Sequence, residues 1–273
     1  MTQEVRRVIV PLDAAAETGT AIDTAARLAA RWQVPLHGVF IEDEELIGLA
    51  GLPFARQVTL GAGLQPLTRG QVEDHFRAFA ERAQRDLAAA ADRHGVKWSF
   101  ETVRGPLASD MLGAERDFVV AGAASRPIGD HFRIASRCWS WMATLARPFL
   151  LAKREWETGG SVFALLRRGG PESARTLDIA AQIAGFHSGS LTVAGTPNLA
   201  EADDFGEWVS ALLEGHSLSF QTEPAETEPA VLRQRLIELD CRLLVLEAGV
   251  EDLRPNELRE LVDHLACDVL IIH

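Results

Sequence analysis

A stretch near the middle of the chain has the spacing of a glycine-rich phosphate-binding loop. The apolar run FVVAG ends at Gly122; two residues separate it from Ser125, and nine more separate Ser125 from Ala135 and Ser136. In such loops glycine lets the backbone approach an anion closely while the amides point at it. Ala135 and Ser136 begin a predicted helix, whose amino end favours an anion and whose serine hydroxyl can donate to one. The spacing therefore predicts an anion site in which some of the loop glycines are replaced by other residues.

The residues within this loop both support and weaken that prediction. Gly129 gives the loop flexibility. Three arginines add positive charge: Arg126, Arg133 and Arg137. The side chains of Ser125 and Ala135, however, add bulk where phosphate oxygens would lie. Two interpretations follow, a weak or altered anion site and a purely structural connection.

The sequence segments on either side of the loop are repeated later in the chain. The strand SFET, from Ser99, returns as SFQT from Ser219, and LARPFLLA, from Leu145, returns as LACDVLII from Leu265 at the same offset. A repeat of this length favours two domains of ordinary size, each able to bury its own core. Between them lies the polar, glycine-rich linker EWETGG.

Short apolar runs alternate with amphipathic helical patterns in both copies, which is typical of α/β domains with parallel sheets. We predict two such domains, residues 1–153 and 160–273, each an open sheet of five parallel strands flanked by helices. The predicted strands are 8–12, 36–41, 97–103, 118–121 and 148–152, then 162–166, 191–194, 218–222, 243–246 and 269–272. The predicted helices are 20–32, 72–94, 107–114 and 136–146, then 172–184, 201–214, 230–239 and 255–266.

Residues 42–70 break this rhythm and have no counterpart in the second copy. They begin with an acidic EDEE cluster and continue as a glycine-rich apolar stretch without a clear period. A connection of this length is uncommon in a compact domain unless it has a function. We expect either a mobile cover or docking segment beside the ligand crevice, or a short helix that extends the core.

With these elements in place, the chain resembles the universal stress protein family in its tandem two-domain form. Members have Rossmann-like domains, and the ATP-binding branch carries glycine, two residues, glycine, nine residues, then glycine and serine or threonine after the fourth strand. The register here keeps Gly122 and Ser136 but replaces two glycines by Ser125 and Ala135. The resemblance implies a cofactor such as ATP or AMP, bound weakly or no longer bound.

The resemblance also assigns roles to two further residues. Asp13, after the first strand, would lie beside the adenosine, and Val39 on the second strand would contact adenine through its backbone. For Asp13 the alternative is a cap or turn residue before the first helix. The family's domains pair through their fifth strands, so 148–152 is expected beside 269–272, an internal imitation of a dimer. Association into a homodimer remains open.

The second copy is expected not to bind nucleotide. Aligning the two copies puts Arg167 or Arg168 in place of Asp13 and Glu247 in place of Gly122. A carboxylate at that position would repel phosphate.

We therefore expect a stress-response protein that is not an enzyme and acts through an unidentified protein partner or a small anionic or nucleotide ligand. One alternative is an ATP-binding family member that hydrolyses ATP slowly. Another is a binder of an apolar or amphipathic small ligand, with residues 42–70 as its lid. The eight histidines show no metal-ligand spacing, so no metal site is expected.

The charge distribution, the length of the apolar runs and the number of cysteines restrict the kinds of partner and the cellular compartment. Residues 1–153 hold 18 acidic and 18 basic side chains, whereas residues 154–273 hold 21 acidic and 9 basic ones. An acidic surface repels phosphate backbones, which argues against nucleic acid as a partner. No apolar run approaches the length of a membrane span, and three cysteines do not make a disulfide framework, so we expect a cytoplasmic protein without membrane association.

Overall fold

The α/β class is confirmed, and the chain folds as two compact units, Val5–Trp141 and Met142–His273. The computed structural model describes residues 5–13, 18–59, 63–105, 116–122, 147–155, 159–186, 189–201, 204–225, 228–247 and 264–272. The predicted helices 107–114 and 136–146, and all but the end of 255–266, lie outside these ranges.

The first unit contains β1 (Arg7–Leu12), α1 (Thr18–Trp32), β2 (Leu36–Glu42), α2 (Glu44–Ala50), β3 (Arg56–Thr59), β4 (Gly63–Pro66), α3 (Arg69–His94), β5 (Trp98–Arg104) and β6 (Asp117–Gly122). Its sheet has the spatial order β6, β1, β2, β5, and all three pairings are parallel. Helix α1 packs on β1 and β6, and α3 packs on β2 and β5. The strand β1 is completely buried from Val8 to Val10, as an apolar run in a covered parallel sheet should be.

The ends of α3 show why the sequence forms a long helix here. Thr68 and Gln71 make a reciprocal capping box at its start, so two backbone donors that lack helical partners are satisfied. At the other end Gly95 adopts φ 66°, a left-handed conformation that glycine accepts without steric cost.

The second unit contains β7 (Phe149–Ala152), β8 (Ser161–Leu166), α4 (Gly170–Phe186), β9 (Ser190–Gly195), α5 (Pro197–Ala200), α6 (Phe205–Leu213), β10 (Ser219–Pro224), α7 (Pro229–Glu238), β11 (Cys241–Glu247) and β12 (Asp268–Ile272). Five of its strands are parallel in the order β10, β9, β8, β11, β12. Helix α4 packs on β8, β9 and β11.

The strand β7 groups with the second unit, although in the sequence repeat it is the fifth strand of the first copy. It pairs antiparallel with β12, with Leu150 opposite Leu270 and Leu151 opposite Val269. The predicted pairing of 148–152 with 269–272 is thus confirmed. The domain limits 1–153 and 160–273 follow the repeat and stay a prediction.

The segment 42–70 has more regular structure than its sequence indicates. Asp43 caps α2 by accepting hydrogen bonds from the amides of Glu45 and Leu46, and Ile47 and Ala50 are buried. Strands β3 and β4 then pair as an antiparallel hairpin. Four large apolar side chains remain exposed: Leu49, Leu52, Phe54 and Leu64. The short helix of the second interpretation is therefore present, together with an apolar surface that the core does not cover.

Two further observations bear on the class of protein. No helix in the described part of the chain is both long and apolar enough to cross a membrane. Cys241 and Cys267 are free and buried, while Cys138 lies outside the described residues.

Candidate functional site

The candidate site of the first unit lies where β1 and β6 end side by side. The chain of the first unit runs from β1 outward to β2 and β5 and then returns to the opposite side of β1 as β6. In open α/β sheets, a crevice that accepts ligands forms at the carboxyl ends of strands where the direction reverses in this way. The topology therefore identifies a position for a ligand before any side chain is considered.

Three predicted site residues come together at this edge. Val119 pairs with Ile9, and the same register carried three residues on puts Gly122, the last residue of β6, beside Leu12. Asp13 follows Leu12 directly and is half-buried. Val39 is fully buried on the neighbouring strand and pairs with Pro11. The other four predicted residues lie outside the described part of the chain: Ser125, Gly129, Ala135 and Ser136.

The acidic cluster near this edge has a structural role. Glu42, the last residue of β2, accepts hydrogen bonds on Oε2 from Nε and Nη2 of Arg104, at 2.9 and 2.8 Å. The carboxylate of Glu42 raises the pKa of the Arg104 guanidinium, because the hydrogen bond favours the charged form. Glu42 thus joins the ends of β2 and β5, and Asp43 caps α2. The carboxylates of both residues therefore stabilise the local structure.

The equivalent edge of the second unit is closed by a buried carboxylate. Glu247 ends β11 and is 4% exposed. Its Oε2 accepts hydrogen bonds from the Arg167 amide at 2.9 Å and from the Ser173 hydroxyl at 2.6 Å. The Ser173 hydroxyl oxygen in turn accepts from the Gly169 amide at 3.1 Å. The sequence predicted Glu247 and either Arg167 or Arg168 at this edge but not Ser173. The position of Ser173 near the start of the helix that follows β8 is the signal that could have indicated it.

The structure also assembles a polar cluster that the sequence did not predict. The ring of His37 on β2 lies with Nδ1 2.8 Å from the Ser99 hydroxyl and Nε2 3.0 Å from a Glu101 carboxylate oxygen. Ser99 and Glu101 lie two residues apart on β5, and His37 pairs with Ser99. Serine, histidine and a carboxylate in this order can support nucleophilic chemistry. Ser99 and Glu101 are both exposed, which also suits a solvated link between two strands.

Comparison with known proteins places the fold. Neither a protein-family model nor a curated protein matches the sequence. A universal stress protein from Archaeoglobus fulgidus DSM 4304 superposes with a TM-score of 0.69 over 99% of this chain and 97% of its own, at 12% identity. A protein named as a universal stress protein from Pseudomonas aeruginosa UCBPP-PA14 gives 0.63 over 99% and 94%, at 16% identity.

A functionally unknown protein from Pseudomonas aeruginosa PAO1 gives a TM-score of 0.62 over 99% of this chain and 93% of its own, at 17% identity. These three structures match the chain over almost its whole length. The fold is therefore the Rossmann-like tandem arrangement found in universal stress proteins, as the sequence predicted.

Proposed function

We propose that this protein is a stress-response regulator that acts by binding a small anionic ligand or a protein, and that its ligand site is the crevice of the first unit. The observation that carries the proposal is the meeting of Asp13 and Gly122 at the carboxyl ends of β1 and β6. The fold shared with universal stress proteins supports it. An adenine nucleotide such as ATP or AMP is the ligand that the residue pattern favours, and the replacement of two loop glycines by Ser125 and Ala135 in the sequence favours weak binding.

Titration calorimetry with ATP, ADP and AMP tests the site. We expect weak or undetectable binding to the native protein and a gain of about tenfold or more in the double variant Ser125→Gly, Ala135→Gly, because each change relieves overpacking. Asp13→Ala in the double-variant background is the matched control and should remove the gain. Tight binding of ATP by the native protein would instead support the alternative of an ATP-binding protein that hydrolyses slowly.

We further propose that the protein is not an enzyme, and the cluster of His37, Ser99 and Glu101 provides a direct test. Hydrolysis of p-nitrophenyl acetate and of ATP is measured for the native protein and for Ser99→Ala. Neither protein is expected to hydrolyse either compound faster than buffer alone does. Turnover of the ester that is lost in Ser99→Ala and also in His37→Ala would overturn the proposal, because it would show a nucleophile activated by a base.

The exposed apolar side chains of α2 and the β3–β4 hairpin favour a second candidate function, the binding of an amphipathic ligand or a partner protein. Phe54 and Leu64 are 72% and 73% exposed. Native mass spectrometry of the purified protein would show a bound lipid-like molecule, which should be lost in the double variant Phe54→Ser, Leu64→Ser. Phe79→Ser, on the exposed side of α3, is the matched control. A cytoplasmic location and the oligomeric state stay predictions.

A further inference from the structure

The second unit holds a carboxylate at the position where the first unit has a glycine. Gly122 and Glu247 each end the strand that follows the reversal of chain direction, β6 beside β1 and β11 beside β8. In the first unit Gly122 contributes no side chain at this point. In the second unit the side chain of Glu247 extends into the loop between β8 and α4, because its Oε2 contacts the amide of Arg167 and the hydroxyl of Ser173.

The surroundings of this carboxylate are those of an anion site. The loop 167–169 joins the buried strand β8 to α4, a helix of 17 residues, and Gly169 in the loop and Gly170 at the start of the helix both adopt positive φ, 72° and 82°. Glycines of this conformation, a backbone amide and the start of a long helix are the features that hold oxyanions in strand–loop–helix units. Here the Arg167 amide and the Ser173 hydroxyl, which lies in the first turns of α4, hold a carboxylate that is 4% exposed, and the Gly169 amide donates to that hydroxyl.

Hydrogen bonds from Thr196 also hold the start of this loop, which restrains its opening for a ligand. The Thr196 hydroxyl donates to the Arg167 carbonyl at 2.7 Å, and the Thr196 amide donates to the Leu166 carbonyl at 3.0 Å. Two buried nitrogens of Arg167, Nε and Nη1, find no hydrogen-bond partner among the residues that the structure describes.

We propose that the Glu247 carboxylate is a built-in ligand, which fills the anion position of the second unit in place of a phosphate. The anion position of the second unit is therefore occupied at all times, and no ligand from solution can take it. This inference does not depend on whether the first unit binds a nucleotide, since every group involved lies in the second unit.

Chemical rescue of a full-length variant tests the proposal. Glu247→Gly removes the carboxylate, reproduces the residue of the first copy and leaves space flanked by the Arg167 amide and the Ser173 hydroxyl. It should lower the midpoint of thermal unfolding by about 5 °C or more. Formate at about 100 mM should then restore about 3 °C or more, because an anion that binds the folded state alone stabilises it.

Two controls separate site binding from general salt effects. Glu247→Gln keeps the space filled, so formate should not stabilise it or the native protein beyond the effect of chloride at the same ionic strength. If Glu247→Gly does not fold alone, the yield of refolding in formate against chloride gives the same comparison. A variant as stable as the native protein, or a response to formate no larger than that of Glu247→Gln, would overturn the proposal.

Discussion

Between about pH 4 and pH 7.5, a buried carboxyl group in the second unit should dominate the pH dependence of stability. Asp268 begins β12 and is 1% exposed. Its Oδ1 accepts hydrogen bonds from the amides of Lys153 at 2.7 Å and Arg154 at 3.2 Å, which join the end of β7 to β12. Burial raises the pKa of Asp268 from 3.8 to about 6, because the charged form loses its hydration and the two amides compensate only in part.

The direction of the effect follows from this raised pKa. The folded protein holds the proton of Asp268 more tightly than the unfolded chain does. The stability that this group contributes is therefore complete below about pH 4 and is lost as the pH rises through about 6. A difference of about two pKa units corresponds to about 3 kcal/mol of unfolding free energy.

Urea unfolding of the native protein and of Asp268→Asn, followed by circular dichroism at about pH 4 and pH 7.5, measures this quantity. Asparagine stays neutral, and its side-chain oxygen can still accept from the two amides. We expect the free energy of unfolding of the variant, relative to the native protein, to rise by about 3 kcal/mol between the two pH values. Asp74→Asn, at a side chain that is 70% exposed, is the control. Parallel curves for the native protein and Asp268→Asn would refute the reasoning.

Three further outcomes are expected. Arg7→Ala should lower the unfolding free energy by about 2 to 3 kcal/mol in urea titrations, because Arg7 pairs with the buried carboxylate of Asp117 at 3.0 Å; an unchanged midpoint would contradict this. Gly38→Ala should lower the unfolding free energy by about 1 to 3 kcal/mol in the same measurement, since the added methyl carbon would lie 2.8 Å from Leu87. Gly48→Ala is its control, because a methyl group there meets no atom of the described residues within 4 Å. In hydrogen exchange, the hairpin in 42–70 should exchange faster than the sheet; protection equal to that of β1 would rule out a mobile cover.

The parallel strands were predictable because their sequences are continuous apolar runs. The runs beginning at Val8 and Val162 form strands whose ends lie within one or two residues of the prediction. A strand buried on both faces needs nothing but apolar side chains, so composition alone locates it. The position of Asp13 and Gly122 followed from the same pattern, since each directly follows or ends such a run.

Contacts across the sheet were not predictable in the same way. His37 and Ser99 are 62 positions apart, and only the register between β2 and β5 brings them within 2.8 Å. Helix α2 was missed as a definite element because it is short and its stabilisation comes from the Asp43 cap and two buried side chains instead of a long apolar period. The burial of Asp268 likewise depends on β7, a strand from the other copy of the repeat.

The pairing of β7 with β12 also bears on how the protein is made. Synthesis of about 120 residues, or roughly 6 to 24 s of translation, separates Leu151 from its partner Val269. During that time the backbone groups of β7 that later bond to β12 have no partner, and an unpaired apolar strand is prone to associate with other chains. The β12-facing edge of β7 therefore stays open to association until β12 emerges from the ribosome, and so does the β6-facing edge of β1 until β6 emerges.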